Sequence, residues 1–398
     1  MKMCFISMNL YSYGGIQRVL SGLLSELNKR HDVEIEIIMP YSVEDKNVFG
    51  LDSRIKVSNY FDIKSSDETP FGFIAKVLRR INKETGILDL IPSECICNKI
   101  YFPAEERVKI INYINDNNFD IVIGVGDLFT LLVSKIKNAV NCECVGWMHS
   151  TFDSYFRTKG AQCYGIFRHA KKHFANLEYL MVLNESDKVT FEKNFEIKAI
   201  KLPNPVNYYM EMPTGDIKGP IIFVGRMEKE HKGLDYLVDI IDKLHASYDD
   251  LRFVVIGGGY EKEWLDTEII NKRLDSVVEL PGMISNIEDY LCKGSIFIHT
   301  SRWEGFGVVI LEAMAFGLPV VAFHNNGPDE IITDGRDGYL IEKFDCNAFV
   351  EKIEKLLADE DLYMNMSVNA NNRAKDFSKS KIADKLYNIL QQGVCSRI

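Results

Sequence analysis

Two glutamates and a set of glycines between Ser301 and Pro319, SRWEGFGVVILEAMAFGLP, are the residues whose types and spacing could perform chemistry. Glu304 lies in a glycine loop that follows an apolar strand, and Glu312 lies further on, inside a predicted helix. The first N–H groups of such a helix have no partner within it, and the helix dipole attracts an anion, above all a phosphate. The segment therefore predicts a site for an anionic ligand, bracketed by two carboxylates.

The separation of these two glutamates argues against a glycosidase pair. Eight helical residues rise about 12 Å, whereas the two carboxylates of a glycosidase flank one bond at roughly 5–9.5 Å. A single glutamate at either place is better explained as an ordinary solvated acid. Within the pattern EGFGxxxLEAMAxGxP, however, we interpret Glu304 and Glu312 as two contacts to one extended ligand.

A strand–helix–strand unit over residues 1–40 supplies a second glycine loop. The strand MCFISM is followed by a loop that ends in Gly14 and Gly15, and then by a helix with apolar residues at helical spacing. Glycines in front of a helix let the backbone approach a phosphate or a sugar closely. A tight turn that requires glycine is the alternative. The loop is not Gly-x-Gly-x-x-Gly, so a dinucleotide site is disfavoured.

A histidine follows another predicted strand of the first half. His149 lies two residues after the strand Cys142–Trp147, and functional side chains in open α/β sheets lie at the carboxyl ends of the strands. We therefore expect His149 to face the ligand, with a purely structural histidine as the alternative.

The rhythm of strands and helices restarts after a break. Pro203-Asn204-Pro205 and the polar segment up to Pro220 predict a hinge. Strands at Ile221–Val224, Phe253–Ile256 and Ser276–Leu280 follow, each ending in glycine or Pro-Gly. We predict an α/β protein with two doubly wound domains, residues 1–204 and 205–376, facing across a cleft that is the expected ligand site. The last helix, about 377–398, should return to the first domain.

Composition and charge exclude several classes of protein. The chain has 398 residues and a net charge of −10, distributed as +1 over residues 1–204 and −11 over the remainder. The acidic second half argues against nucleic acid as a partner. No apolar run reaches the ~18 residues of a membrane span and no leader precedes the first strand, so a cytoplasmic protein is expected. Nine scattered cysteines without zinc-type spacing fit a reducing compartment.

Two basic segments could contact an anionic membrane. Residues 71–83, FGFIAKVLRRINK, predict an amphipathic helix with lysines and arginines and no acid. A surface helix packed on the core is the favoured alternative there. Residues 154–177 also lack acids and interleave basic with aromatic residues, which is typical of contact with anionic lipid or with a phosphate-bearing acceptor. A solvated basic face explains that stretch equally well. A peripheral position on the inner face of the cell membrane thus stays open.

Together these motifs resemble the GT-B glycosyltransferases, specifically the retaining family 4, the glycosyl transferases of group 1. In chain order the motifs are GGIQRVL, His149, Phe223-Val-Gly-Arg226, Lys232-Gly233, Pro281-Gly282, the Glu304 and Glu312 pair, and GLPVVAF. One departure is Thr300-Ser301, where the family often has proline-serine, and it bears only on local loop shape.

The resemblance implies that the first domain binds the acceptor and the second a nucleotide sugar, expected to be UDP-linked. By similarity, Arg226 and Lys232 neutralise the diphosphate, Glu304 faces the transferred sugar, and Glu312 binds the ribose hydroxyls. His149 should reach the sugar from the acceptor side. The remaining expected contacts are backbone groups of Gly305, Phe306, Gly307 and Val308, the base-binding edge at Met283 and Ile284, and the phosphate cover at Gly14 and Gly15.

The implied reaction is transfer of a hexose or N-acetylhexosamine, with retention, to a lipid-linked glycan or a growing cell-surface polysaccharide. No cofactor and no metal are expected, because Arg226 and Lys232 supply positive charge and the lone acidic triplet Asp359-Glu-Asp361 lies between late helices. A non-catalytic protein that binds sugar nucleotides is one alternative. A phosphorylase or epimerase on the same fold is the other.

Overall fold

The computed structural model describes residues 1–11, 14–39, 47, 49–59, 70–208, 210–284 and 286–395. Much of 41–69 lies outside the described residues. The chain divides into two compact units. One comprises Met1–Asn204 together with the chain from Lys379 onward, and the other comprises Pro205–Ser378.

A seven-stranded parallel sheet forms the centre of the first unit, in the order β3-β2-β1-β4-β5-β6-β7. The strands are β1 (Lys2–Ile6), β2 (Glu34–Ile38), β3 (Lys56–Ser58), β4 (Ile121–Val125), β5 (Glu143–Trp147), β6 (Tyr179–Val182) and β7 (Ala199–Lys201). Side chains alternate across a strand. Accordingly, Met3 and Phe5 of β1 pack on one face, whereas Cys4 and Ile6 pack on the other.

Helices cover both faces of this sheet. They are α1 (Gly15–Leu27), α2 (Pro70–Thr85), α3 (Ile87–Leu90), α4 (Glu94–Ile100), α5 (Ala104–Asn117), α6 (Asp127–Ile136), α7 (Phe152–Phe156), α8 (Phe167–Phe174) and α9 (Glu185–Phe195). A short 3-10 turn spans Lys137–Ala139. Among the described residues, no helix is long and apolar enough to cross a bilayer.

A six-stranded parallel sheet forms the second unit, in the order β10-β9-β8-β11-β12-β13. The strands are β8 (Ile221–Val224), β9 (Phe253–Ile256), β10 (Val278–Gly282), β11 (Phe297–His299), β12 (Val320–Phe323) and β13 (Gly338–Ile341). Its helices are α10 (Lys229–Lys232), α11 (Leu234–Ser247), α12 (Lys262–Asn271), α13 (Glu288–Leu291), α14 (Val308–Ala315), α15 (Asn326–Ile331), α16 (Cys346–Ala358) and α17 (Glu360–Lys375). Asp359 caps α17 by accepting from the Leu362 N–H at 2.9 Å, which gives the acidic triplet a structural role.

One strand of the second unit differs from the sequence prediction. The third strand is β10, Val278–Gly282, rather than 276–280, because it continues through Pro281 with an irregular register. A proline is tolerated there because β10 is an edge strand. Helix α14, by contrast, begins at Val308 directly after the predicted loop, so Glu304 lies outside the helix. The helical rise of about 12 Å therefore does not apply between Glu304 and Glu312.

The last helix, α18 (Lys379–Cys395), belongs to the first unit and packs against α1. Leu386 and Leu390 of α18 are fully buried in the same apolar cluster as Leu20 and Leu24 of α1. The C-terminal helix thus returns to the first unit, as the expected fold class requires.

The basic stretch 154–177 is largely structural. Phe156 and Phe174 are buried and pack on Phe195 at ring-centroid distances of 5.1 and 4.7 Å. Its lysines pair with acids from outside the stretch: Lys159 with Glu84, Lys171 with Glu196, and Lys172 with Glu94. These contacts disfavour lipid contact for this stretch, and its basic face is paired with acids rather than simply solvated.

Candidate active site

A buried ion pair lies at the end of β11. The Nζ atom of Lys232, the last residue of α10, donates to Oε2 of Glu304 at 2.6 Å. Their side chains are only 12% and 16% exposed. Burial opposes ionisation of Glu304, but the charge of Lys232 and the contact with His299 outweigh it and hold the pKa of Glu304 well below its ordinary value of 4.5. Glu304 is therefore a carboxylate at neutral pH.

His299 is the residue at this site that the sequence motifs did not reveal. Its Nε2 atom lies 3.5 Å from Oε2 of Glu304, and the ring is almost completely buried. Burial lowers the pKa of His299, so the ring is neutral beneath the carboxylate. The sequence does contain a signal for His299. This histidine lies near the carboxyl end of the apolar strand SIFIHT, as His149 lies near the end of the strand Cys142–Trp147.

The main chain around Lys232 is hydrogen-bonded to the segment that leads to Glu304. The Thr300 hydroxyl donates to the carbonyl of Lys232 at 2.8 Å, and the Arg302 N–H donates to the carbonyl of His231 at 3.0 Å. The two segments, 228–235 and 300–304, therefore lie side by side. This pairing sets the position of Lys232 opposite Glu304.

Side chains reinforce the same pairing. Arg302 donates to both carboxylate oxygens of Asp235, at 3.0 and 2.6 Å, and its guanidinium lies 4.3 Å from the ring centroid of Tyr236. The ring of His231 stacks on Trp303, with centroids 5.2 Å apart and an interplanar angle of 11°. A bidentate guanidinium–carboxylate pair fixes geometry as well as adding energy. Lys232 and Glu304 thus rest on a rigid support.

Gly233 is required by this close approach. Its φ of +63° is left-handed, and a Cβ at this position would lie 2.2 Å from the Thr300 carbonyl oxygen. A side chain would suffer both backbone strain and collision with a backbone atom. Only glycine lets α10 turn into α11 against the 300–304 segment.

Replacing Gly233 with alanine should therefore lower the free energy of unfolding by about 2–4 kcal/mol, measured by urea denaturation. Gly335→Ala is the matched control, because Gly335 has a φ of +73° but a methyl group on its Cα would meet nothing within 4 Å. The control isolates the backbone cost and should lose only about 1–2 kcal/mol. Equal losses in the two variants would show that the contact with Thr300 contributes nothing.

The segment that contains the glycine loop before α14 is hydrogen-bonded to residues at the start of α15. The Gly327 N–H donates to the carbonyl of Glu304 at 3.1 Å, and Asn325 Nδ2 donates to the carbonyl of Ser301 at 2.7 Å. Gly307, with a φ of +83°, immediately precedes the first residue of α14. The loop at 305–308 thus leads directly into a helix N-terminus, the arrangement that the sequence predicts for phosphate binding.

The other side chains expected at the donor site also belong to the second unit. Glu312 is 3% exposed within α14, so it is not an ordinary surface acid. Arg226, after β8, is mostly exposed and pairs with Glu228 at 2.6 Å. Met283, after β10, is exposed, and Ile284 is half-buried. Lys232 and Glu304 are joined by the hydrogen bond described above, and the roles of the other residues stay predictions.

In the first unit, Gly14 precedes α1 and Gly15 is its first residue. Gly14 has an extended φ of 175°, and a Cβ at Gly15 would meet nothing within 4 Å. A Cβ at Gly14 would touch only the side chain of Gln17. A turn that requires glycine therefore does not explain these two residues, and close approach of a ligand stays the prediction.

His149 follows β5 and is buried, with its ring 4.5 Å from that of Trp147. The backbone N–H of His149 donates to the hydroxyl of Tyr155 at 3.0 Å. Burial lowers the pKa of His149 from 6.5 to about 3, against a smaller opposing effect of Asn204. The imidazole is therefore neutral at physiological pH and suited to exchanging hydrogen bonds with a hydroxyl rather than to carrying charge.

Because the folded-state pKa of His149 lies below its unfolded value, the unfolded chain binds the extra proton more readily. Stability should fall as pH decreases from 6.5 towards 3, and His149→Gln should flatten this dependence. Nitrogen-15 NMR should show a neutral ring at pH 5.5, with the resonance assigned by its loss in the variant. A charged ring at that pH would contradict the prediction.

Comparison with known proteins identifies the class of protein to which this fold and this site belong. Residues 216–373 match the family model of glycosyl transferases group 1. An uncharacterised glycosyltransferase of Haemophilus influenzae is 25% identical over 98% of this chain and 99% of its own length. The Campylobacter jejuni GalNAc-α-(1→4)-GalNAc-α-(1→3)-diNAcBac-PP-undecaprenol α-1,4-N-acetyl-D-galactosaminyltransferase is 24% identical over 98% of this chain and 99% of its own.

Solved structures agree on the fold. HepE from Anabaena in complex with UDP has a TM-score of 0.73 at 17% identity, covering 98% of this chain and all of that one. The lipopolysaccharide outer core galactosyltransferase WaaB has a TM-score of 0.69 at 18% identity, covering 99% of this chain and all of that one. The GT-B fold is confirmed. The second unit carries a glycosyl transferases group 1 domain, and the chain is a glycosyltransferase.

Proposed function

We propose that the protein is a retaining glycosyltransferase that moves a hexose or N-acetylhexosamine from a UDP-sugar to a lipid-linked glycan or a growing cell-surface polysaccharide. The observation that carries the proposal is the buried Lys232–Glu304 pair, 2.6 Å across, in which Glu304 belongs to the loop that leads into α14. A cation and a carboxylate on a loop that ends in a helix N-terminus suit a donor with both an anionic diphosphate and a hydroxylated sugar. The UDP complex of the similar HepE structure supports the choice of base.

The proposed reaction proceeds on one face of the sugar. The bond between the anomeric carbon and the diphosphate oxygen breaks as the acceptor hydroxyl oxygen attacks from the same side. The acceptor proton passes to the departing diphosphate, so charge and atoms balance without a protein nucleophile. Glu304 orients the sugar and stabilises its developing positive charge, because its depressed pKa keeps it ionised.

Positive charge for the leaving diphosphate is assigned to Lys232 and Arg226. An ammonium group has three N–H donors, so Lys232 can contact the diphosphate while it keeps its hydrogen bond to Glu304. Arg226, exposed beside Glu228, has the longer reach. We propose that these two cations take the role that a metal plays in other transferases.

Donor binding is tested first by thermal shift with UDP, GDP, ADP and common UDP-sugars, each with and without EDTA. A ligand at 100 times its dissociation constant stabilises by about 2.7 kcal/mol, which is readily measured. A shift with UDP alone that EDTA leaves unchanged supports both the base and the metal-free site. No shift with any nucleotide would overturn the donor-site assignment.

The anomeric outcome is a separate test. With the preferred UDP-sugar and a short synthetic lipid-diphosphate glycan, proton NMR of the first product reports the configuration of the new linkage before any equilibration. Retention gives the α product from an α-linked donor. A β product would exclude the same-face reaction, whereas release of free sugar phosphate with inorganic phosphate as co-substrate would indicate a phosphorylase.

A membrane-bound acceptor is supported by an exposed apolar face on α2. Its large apolar residues lie in solvent rather than in the core, and Phe73, Ile74 and Ile81 are 63%, 54% and 47% exposed. The small and polar residues Ala75 and Asn82 are the ones that face inward. The expected packing of residues 71–83 through their apolar face is therefore wrong. Side-chain description begins at residue 72 within this segment.

We propose that this face contacts anionic lipid. Lys76 and Arg80 are exposed on the same helix, and an apolar face flanked by basic side chains binds interfaces that carry negative charge. The acceptor named for the Campylobacter relative is undecaprenol-linked. A transferase that acts on such an acceptor gains from lying at the bilayer surface.

Vesicle flotation tests this contact. Wild type should float with phosphatidylglycerol-containing vesicles and much less with neutral ones, and I74S/L78S/I81S should stay at the bottom of the gradient. V108S/V189S is the matched control, because Val108 and Val189 are 52% and 58% exposed on other helices. No flotation of the wild type with either vesicle would remove the membrane contact, and equal flotation of both variants would remove the role of α2.

A further inference from the structure

A cluster of metal-ligating side chains lies in the first unit, apart from the residues proposed to bind the donor. Glu94 is the first residue of α4, and His169 and His173 are one turn apart on α8. One potential ligand atom from each of the three residues lies within 4.8 Å of the other two. Within the described part of the chain, no other such group of three is found.

The distances match the ligand shell of a small transition metal. Nδ1 of His169 lies 2.9 Å from Oε2 of Glu94, and Nε2 of His173 lies 3.3 Å from Oε1. A tetrahedral zinc with bonds of about 2.0–2.2 Å places neighbouring ligand atoms about 3.4 Å apart. A slight opening of the cluster would admit the ion without moving the helices.

The histidines are held in place by the fold. The side chain of His169 is 3% exposed and that of His173 is 16% exposed. The two carboxylate oxygens of Asp89 accept from the N–H groups of Phe167 and Arg168, at 2.8 and 3.0 Å, and so fix the start of α8. Nε2 of His173 is buried and makes no hydrogen bond of good geometry in the described residues. A buried nitrogen without a hydrogen bond of good geometry is a candidate for binding a ligand.

Two lysines and one asparagine also contact the cluster, and their positions are compatible with a metal. Nζ of Lys172 lies 3.3 Å from Oε1 of Glu94, but that side chain is 63% exposed and can turn into solvent. Nδ2 of Asn98 donates to the same oxygen at 3.1 Å. Nζ of Lys135 lies 3.4 Å from Nε2 of His169, the ring nitrogen opposite the one that faces Glu94, and donates to the carbonyl of Tyr101 at 2.6 Å.

We propose that Glu94, His169 and His173 form a binding site for a divalent transition metal of the zinc class. Two imidazoles and one carboxylate are a donor set that such metals accept, with water completing the coordination. Glu94 is 37% exposed, which leaves an open side for that water. The ion would clamp α4 to α8. The site serves structure rather than sugar transfer, so it stands independently of the proposed donor site.

The test uses the full-length protein, stripped with EDTA, dialysed and titrated with Co²⁺ and Zn²⁺. Wild type should bind one equivalent more than H169Q/H173Q, with the intense visible absorption of low-coordinate Co²⁺, and Zn²⁺ should displace it. E94Q, which keeps the size of the side chain, should bind at least about 100-fold more weakly and keep the wild-type circular dichroism spectrum. H245Q/H324Q is the matched control for loss of two histidines elsewhere, and should bind like wild type.

Comparison among the variants separates this site from any uptake of metal by the cysteines, which are the same in every variant. If wild type and H169Q/H173Q take up the same number of equivalents with the same Co²⁺ spectrum, the site does not exist. The same holds if E94Q binds as tightly as wild type. The cluster would then be an ion-paired network that joins two helices without a metal.

Discussion

Replacing Lys232 with methionine should lower the free energy of unfolding by about 3–5 kcal/mol, because it leaves the Glu304 carboxylate buried without its cation. The length of the side chain is kept, so little packing is lost. The same variant should bind UDP about 10–100-fold more weakly, since a charged hydrogen bond to the diphosphate is lost. Urea denaturation and isothermal titration measure the two effects separately.

The pH dependence tests the cause of this destabilisation. The folded-state pKa of Glu304 is held well below 4.5 by Lys232, so the stabilisation is complete above pH 4.5 and is lost as pH falls through the folded-state pKa. The difference between wild type and K232M should therefore shrink in acid. K232M/E304Q should recover much of the loss, because no unpaired charge remains. A difference below about 1 kcal/mol, or one that is independent of pH, would mean that the pair does not act as a buried ion pair.

Replacing Glu304 with glutamine should lower kcat by about 10²–10³-fold while the fold is retained. The amide has nearly the shape of the carboxylate but lacks the negative charge that we assign to the developing positive charge of the sugar. Initial rates with the UDP-sugar found in the thermal-shift screen measure the effect. The KM for the donor should change much less than kcat.

Glu312→Gln is the comparison for this experiment. If Glu312 binds the ribose hydroxyls, its replacement should raise the donor KM and leave kcat within about threefold. Glu263→Gln, at a helix position outside the site, should match wild type in both constants. Full activity of E304Q would remove the role assigned to Glu304. A fall in kcat equally large for E312Q would show that the two carboxylates are not functionally distinct.

Fold class was predictable from the sequence because its physical signals are local. Parallel strands buried on both faces form apolar runs such as IVIGV in β4, and helices show apolar residues at helical spacing, as in α1. Glycine and proline mark the ends of these elements. The irregular end of β10 was not predictable, because a proline inside a strand depends on the strand lying at the sheet edge.

At the candidate site, residue types were predictable but their partners were not. The motif spacing led to Lys232 and Glu304 separately, as a phosphate ligand and a sugar ligand. Their hydrogen bond, which joins residues 72 positions apart in sequence, arises because β8 and β11 are neighbours in the sheet. His299 could not be assigned to the site from the sequence, because the role of a histidine at a strand end depends on its neighbour in space, here Glu304.

Helix α2 shows what the spacing of apolar residues cannot predict. That spacing predicted the helix correctly, but it did not show which face of the helix is buried. Ala75 and Asn82 face inward, while Ile74 and Ile81 face solvent. Apolar spacing identifies a helix with two unlike faces, and only the tertiary structure shows what each of them contacts.

The return of α18 to the first unit has a consequence for synthesis of the chain. The apolar face of α1 that receives Leu386 and Leu390 is translated early, whereas the helix that covers it is translated only after the second unit. At about 5–20 residues per second, the residues of the second unit take roughly 10–35 s to translate. Throughout that interval the first unit carries an open apolar strip, so the nascent chain is a natural client for a ribosome-associated chaperone.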